Sequence, residues 1–253
     1  MRILLTNDDG INAIGFGALQ KIAAALSDEV WCVAPETDQS GTAHSLTLHE
    51  PLRCRMLSER TYSVRGTPTD CAIMAVHNLM PQKPDLVLSG INHGENAGAD
   101  VTYSGTIAGA IEGTLLGVPS IALSLSLSGR KPSTGHWDSP VKHAPALIQR
   151  LVAAGWPQDV LINLNFPDRP PGETLPALVA RQSTHEGTLW NVHDRTDGRG
   201  QPYFWVGYEG RDAGAPEGTD IWAIQRGHIA ITPLHLDLTH DATLAKLAGQ
   251  LAG

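Results

Sequence analysis

Cysteine is scarce in this chain: three in 253 residues, Cys32, Cys54 and Cys71, far apart and without a Cys-x-x-Cys pair. An odd, sparse set fits reduced thiols and a cytoplasmic location better than a disulfide framework. Long apolar runs are missing too. No stretch approaches the roughly 20 residues that a membrane-spanning helix needs. The N-terminus turns acidic at Asp8, before an apolar segment of the roughly 7 to 15 residues of a secretory signal can form. No membrane association is therefore expected. Basic residues are outnumbered, with 18 Lys and Arg against 26 Asp and Glu, and the net charge is −8 with 11 histidines neutral. That balance speaks against a partner that is a nucleic-acid polymer, whose binders usually carry a basic stripe. Taken as a whole-chain sum, it also speaks against an anionic substrate.

Several motifs are absent. There is no Gly-x-x-x-x-Gly-Lys-Ser/Thr loop and no His-Glu-x-x-His helix, which removes the P-loop and zincin signatures. Ser104 has no glycine two residues before it, which counts against a nucleophile elbow. Gly15-x-Gly17 runs on to Gln20 instead of a third glycine, so it is no dinucleotide fingerprint.

What remains is globular in character. Hydrophobic residues make up 42% and charged residues 17% of the chain, with a mean hydropathy of −0.12. The length allows one large α/β domain, or one domain with an appendage. Short apolar runs at Arg2 to Thr6, Val30 to Ala34, Asp85 to Ser89, Ser120 to Leu125 and Val160 to Leu164 read as buried strands. Helices are expected between them. In Gly15 to Ser27, Phe16, Leu19, Ala23 and Leu26 share one face. Others are expected over Thr69 to Leu79, Gly105 to Leu116 and Val141 to Ala154. Strands alternating with helices imply a parallel sheet covered on both faces.

Two regions depart from this alternation. Thr47 to Val64 reads as a hairpin or arm. From Glu173 onward, Ala177 to Gln182, Pro202 to Tyr208, Ile221 to Gln225 and His228 to Thr232 read as separate strands, linked by loops at 194–200 and 209–218. Leu244, Leu247 and Leu251 mark a terminal helix. The expected organisation is a Rossmann-like α/β core over 1–168, followed by a β-rich extension over 169–253.

In open parallel sheets, ligands sit beyond the carboxyl ends of the strands. There the chain places Asn7-Asp8-Asp9-Gly10, then Glu36-Thr37-Asp38-Gln39-Ser40-Gly41, then Asn92-His93-Gly94-Glu95-Asn96. Carboxylates, a hydroxyl and amides are hard oxygen donors suited to Mg²⁺ or Mn²⁺ rather than zinc. Asx residues after a strand are also common turn formers. Taken singly, Asp8 and Asp9 read equally well as caps or ligands, and Ser40 and Asn92 read better as caps. Only their convergence on one sheet edge favours a site. Ser104-Gly105-Thr106 opens a helix whose free N–H groups suit an anion, although alone it reads as an ordinary cap. Thr67-Pro68-Thr69-Asp70 reads as a capping box with a structural role. His44, His77, His93 and His185 are candidate acid–base groups. Of these, His44 and His93 lie near the candidate site, and His77 is expected in packing.

Five blocks stand in order over about the first 125 residues: Leu4 to Gly10; Val33-Ala34-Pro35 with Gln39-Ser40-Gly41 and Ser45-Leu46-Thr47; Gly66-Thr67-Pro68; Ser89 to Gly94; and Tyr103 to Thr106. This series closely resembles the survival protein SurE family of metal-dependent 5′- and 3′-nucleotidases. The resemblance implies a SurE-like fold, a Rossmann-like core with a β-rich C-terminal extension often exchanged between subunits of dimers or tetramers. It implies one divalent ion per subunit, Mg²⁺ or Mn²⁺, held by Asp8, Asp9, Ser40 and Asn92. It places Asn96, Ser104, Gly105 and Thr106 at the phosphate. It further implies hydrolysis of nucleoside monophosphates, with short polyphosphate as an additional substrate known in the family. Asp8 is the candidate to hold or deprotonate the attacking water. Glu36-Thr37-Asp38 and Gly109 depart from the family pattern, and neither touches the metal set.

Two other readings share an acidic pair after the first strand. A haloacid-dehalogenase-type phosphatase would need Asp-x-Asp, and here the acids are adjacent. A Mg²⁺-binding receiver-like signalling module would need a third Asp at a central strand end, where this chain has Ser89 to Asn92.

Overall fold

The computed structural model describes residues 1–127, 129–184, 190–208 and 214–251. The chain order is β1 (Arg2–Thr6), α1 (Ile14–Ala24), β2 (Glu29–Pro35), β3 (Arg53–Ser58), β4 (Thr61–Arg65), α2 (Pro68–Met74), β5 (Leu86–His93), α3 (Gly105–Leu115), β6 (Ser120–Ser126), α4 (Asp138–Ala154) and β7 (Val160–Pro167). After it come β8 (Leu175–Val179), β9 (Trp190–Thr196), β10 (Pro202–Tyr208), α5 (Asp220–Arg226), β11 (His228–His235) and α6 (Asp241–Leu251). Among the described residues, no helix is long and apolar enough to cross a membrane.

Nine strands form one sheet in the order β3-β4-β2-β1-β5-β6-β7-β11-β8. From β4 to β7 all neighbours run parallel, whereas β3 and β11 join their inner neighbours antiparallel. The sheet is parallel where helical crossovers cover it, because strands buried on both faces are apolar at successive positions. Strand β1 shows this residue by residue. Ile3 and Leu5 pack with Phe16 and Leu19 of α1, while Leu4 faces Val33, Val64 and Cys71 on the other side. All three β1 side chains are fully buried, and each contributes about 1.5–3 kcal/mol by leaving water. Helices α1 and α4 pack together, as do α2 and α3.

From β1 the chain first steps to β2 and later returns to the other side as β5. The crevice at the carboxyl ends of β1 and β5 is therefore a topological switch point. A register shift between Ser89 and Asn92 bulges β5 at that edge, and such bulges re-aim side chains at strand ends.

Helix α2 starts with the expected capping box. Thr67 accepts from the Asp70 N–H, and Asp70 accepts from the Thr67 N–H. The Asp70 carboxylate also takes the N–H and hydroxyl of Thr47, which pins the segment leading into β3. The 47–64 arm is a hairpin, and β4 docks it onto β2 as part of the main sheet.

Some expectations fail. Ile221 to Gln225 is not a strand but lies within α5. Ile221 and Ile224 are buried one helical turn apart, and Gly227 ends the helix in a left-handed conformation with φ 92°. The stretch read as a loop from 194 begins inside β9, which pairs antiparallel with β10. The strand expected at Ala177 to Gln182 is centred earlier, at Leu175–Val179. His77 is exposed, not packed, in the π-turn Ala75–Leu79 that ends α2. His185 and part of the 209–218 loop lie outside the described residues.

Candidate metal and phosphate site

Strand β1 delivers its polar end into the switch-point crevice. The Asn7 amide donates to the Gly10 carbonyl at 2.9 Å and closes the turn. Gly10 has φ 96°, and a Cβ there would press on the Thr37 backbone at 3.3 Å. The Gln39 N–H donates to the Asp8 carbonyl at 2.8 Å, so the loop after β2 is tied to the loop after β1.

Asp8 is 4% exposed. Its carboxylate accepts the Thr106 hydroxyl from the first turn of α3. A Cβ on Gly105 would stand 2.8 Å from the Asp8 Cβ, so only glycine lets α3 approach this closely. Burial, reinforced by the adjacent Asp9, pushes the Asp8 carboxyl from 3.8 up to about 6, while the Thr106 hydroxyl pulls the other way. The Asp9 side chain is 5% exposed and meets the His93 ring. It also accepts the His93 N–H at 3.2 Å. The hydrogen bond to Asp9 raises the His93 pKa against the effect of burial.

Ser40 donates both its N–H (2.8 Å) and its hydroxyl (2.6 Å) to Asp38, which fixes its rotamer at the crevice mouth. Asn92, at the end of β5, donates its amide nitrogen to the Gly94 carbonyl at 2.9 Å, so its amide oxygen is the atom that could coordinate a cation. Asn96 is buried in a polar bracket. Its N–H donates to the Asn165 side chain, its carbonyl accepts from Asn163 and Asn165, and its amide donates to Ser124. Ser104 caps α3 by accepting the Ile107 N–H at 3.0 Å.

Asp8, Ser40, Asn92, Asn96 and Ser104 line one cavity of about 420 Å³. Asp9 opens instead onto a smaller neighbour of about 190 Å³, and His93 lines both. Thr106 and Gly105 stand behind the cavity and set the position of Asp8. Of the other histidines, His44 pairs with Glu112 at 3.0 Å.

Glu95, Asp100, Tyr103 and Trp190 also line the larger cavity, although sequence reasoning gives them no role. Tyr103 and Trp190 meet edge to face with centroids 5.4 Å apart. Glu95 and Tyr103 lie within or beside the recognised blocks. Trp190 carries no local signal, because β9 reaches the cavity through the tertiary fold. The wall holding Asp100 and Tyr103 is anchored from a distance. The fully buried Asp220 of α5 accepts the Gly98 N–H at 2.9 Å, and also the N–H (2.9 Å) and hydroxyl (2.7 Å) of Ser183.

The donor set can be tested for a cation. Among the described residues, no three His, Cys, Asp or Glu side chains converge as a metal cluster. The set is instead two adjacent buried carboxylates, supplemented by a hydroxyl and an amide oxygen. Burial first, and then the adjacent Asp9, raise the Asp8 pKa, and a divalent cation would offset both effects. All-oxygen donors with room for water suit Mg²⁺ or Mn²⁺.

Comparison with known proteins accords with this geometry. Residues 3–188 match the family model for survival protein SurE. A Caulobacter vibrioides protein named 5′-nucleotidase SurE is 51% identical over 255 residues, covering 100% of this chain and 97% of its own. Its namesake from Parvibaculum lavamentivorans is 53% identical over 248 residues, covering 98% of this chain and 90% of its own. The crystal structure of the SurE protein from Aquifex aeolicus superposes with a TM-score of 0.85 at 38% identity, covering 99% of both chains. With the ordered motifs, the switch-point acids and these full-length likenesses together, the chain belongs to the survival protein SurE family.

Proposed function

We propose that this protein is a metal-dependent phosphomonoesterase that hydrolyses nucleoside 5′- and 3′-monophosphates to nucleoside and phosphate. The observation that carries the reading is the buried Asp8–Asp9 pair, with Asp8, raised to about 6, lining the same cavity as Ser104 at the anion-suited start of α3. The family relatives' names supply the substrate class. Short polyphosphate is the secondary substrate.

Asp8, Asp9, Ser40 and Asn92 would hold one Mg²⁺ or Mn²⁺, which supplies Lewis acidity and offsets phosphate charge. The chain's own residues do the rest. The Gly105 and Thr106 N–H groups at the start of α3 have no intrahelical acceptors and, with the Ser104 hydroxyl and the Asn96 amide, would bind the equatorial phosphate oxygens. Each such donor in a water-poor site is worth about 3–4 kcal/mol in the transition state. Asp8 holds the attacking water or accepts its proton, which a carboxylate does only within hydrogen-bond reach. No side chain forms a bond to phosphorus.

The catalytic core spans residues 1–168, and the extension over 169–253 contributes β8 and β11 to the sheet and β9–β10 as an arm. The arm exposes Val192, Phe204, Trp205 and Val206, and α6 exposes Leu244, Leu247 and Leu251. These apolar surfaces suit contacts between copies in a homodimer or homotetramer, which light scattering reads directly. A net charge of −8 and three free cysteines accord with a cytoplasmic enzyme that binds no nucleic-acid polymer and no membrane.

The test is phosphate release from 5′- and 3′-monophosphates with Mg²⁺ or Mn²⁺, before and after chelation. Activity that survives full chelation would falsify the metal role. A phospho-aspartate trapped at Asp8 would replace the mechanism with a covalent one.

A further inference from the structure

We propose that Tyr103 and Trp190 form the nucleobase wall of the cavity and set its preference for base-bearing phosphate esters. The inference rests on the phosphomonoesterase reading and names what holds the half of the substrate that does not react.

Both rings line the same cavity as Asp8 and Ser104. They come from distant parts of the chain, Tyr103 from just before α3 and Trp190 from the first residue of β9. Their planes meet at 77°. An edge-on contact covers the face of only one ring, and both residues line the cavity. Tyr103 remains 45% and Trp190 39% exposed. Aromatic side chains this open in a cleft are candidates for a ligand contact, since leaving them wet forgoes their burial.

The rest of the wall says what kind of ligand. Asn96, Ser104 and the α3 N-terminus lie at the inner end, beside Asp8, and suit a phosphate. Ser104 and Tyr103 are adjacent in sequence, so the aromatic surface starts one residue from the phosphate donors. Glu95 and Asp100 add two carboxylates to the same lining. These repel a second anionic group and accept from ribose hydroxyls or exocyclic amines. A monoester with one phosphate, hydrogen-bond donors and a flat π-face matches each part of this surface. Stacking of a base on an aromatic side chain is sequence-tolerant, because every base offers such a face. A broad rather than single-base preference follows.

Trp190→Ala, Tyr103→Ala and Trp190→Phe should be assayed in the metal-loaded full chain. The substrates are adenosine 5′-monophosphate, ribose 5-phosphate and phosphocholine, with adenosine binding followed by calorimetry. Trp190→Ala should lower the ratio of kcat/KM for the nucleotide over ribose 5-phosphate by roughly 10-fold. The loss should fall in KM rather than kcat, and Trp190→Phe should restore most of it. Adenosine affinity should fall in parallel. An unchanged ratio in both alanine variants, or no adenosine binding by the wild type, overturns the proposal. So does a preference for phosphocholine that Trp190→Ala removes, which would assign the rings to a cation. If the wild type releases phosphate from none of the esters, the esterase reading fails. The adenosine arm, compared between wild type, Trp190→Ala and Trp190→Phe, then still decides the aromatic wall.

Discussion

The switch-point crevice and the β9–β10 arm are built on opposite principles. In the crevice each group is held several times over. Asp8 is fixed by Thr106, by the Gln39 N–H on its own carbonyl and by close approach of Gly105. Asn96 is bonded through N–H, carbonyl and side chain. The arm is two strands paired with each other in a sheet of their own, with Phe204, Trp205 and Val206 each about two-thirds exposed. A lone hairpin is marginal in water. One region therefore stores electrostatic tension in a rigid frame, and the other presents apolar surface with little frame. Rigidity is concentrated where charge must be placed to a fraction of an ångström.

Substitutions can break this contrast, and the crevice should respond most. Asp8→Asn should lower phosphate release by about 100-fold or more, since even groups behind metal ligands cost 10- to 100-fold; kinetics at saturating Mg²⁺ read it. Leu5→Ala, in the strand that carries Asp8, should cost about 2–5 kcal/mol by cavity formation, seen in urea unfolding. In metal-free protein the Asp8 shift has a definite sign. A carboxyl raised in the folded state favours the protonated form, so its contribution is fully present below 3.8 and is lost as pH rises through about 6. The loss is about 3 kcal/mol. Metal-free Asp8→Asn should therefore be more stable than wild type at pH 8 and lack this slope, and added Mg²⁺ should stabilise the wild type only. Gly105→Ala should cost about 1–3 kcal/mol through overpacking against Asp8, with activity lost at unchanged oligomeric state. Phe204→Ser in the arm should change chain stability by no more than about 0.5 kcal/mol while altering light-scattering mass. A large stability loss there, or none at Leu5, would erase the contrast.

The same contrast explains what was legible in the sequence. Asp8, Asp9, Ser40 and Asn92 follow apolar strands, and the parallel order of those strands brings their ends together, so local pattern plus one topological rule reaches the crevice. The capping box of Thr67 and Asp70 is a four-residue signal and reads without tertiary knowledge. Thr106 was legible as part of a helix start but not as the partner of Asp8, because a hydrogen bond across the fold leaves no spacing in the chain. Ile221 to Gln225 misleads because five largely apolar residues suit a strand or a short helix equally, and Gly227 settles the matter only through its φ of 92°. Trp190 could not be read at all, since its part in the cavity depends on where β9 lies relative to Tyr103.

Asp220 carries a longer consequence. It fastens Gly98 to Ser183, and so the wall bearing Asp100 and Tyr103 is anchored by chain that follows β7. A change at Asp220 or Ser183 therefore moves that wall from outside the crevice, while Asp8 and Asp9 keep the contacts that place them.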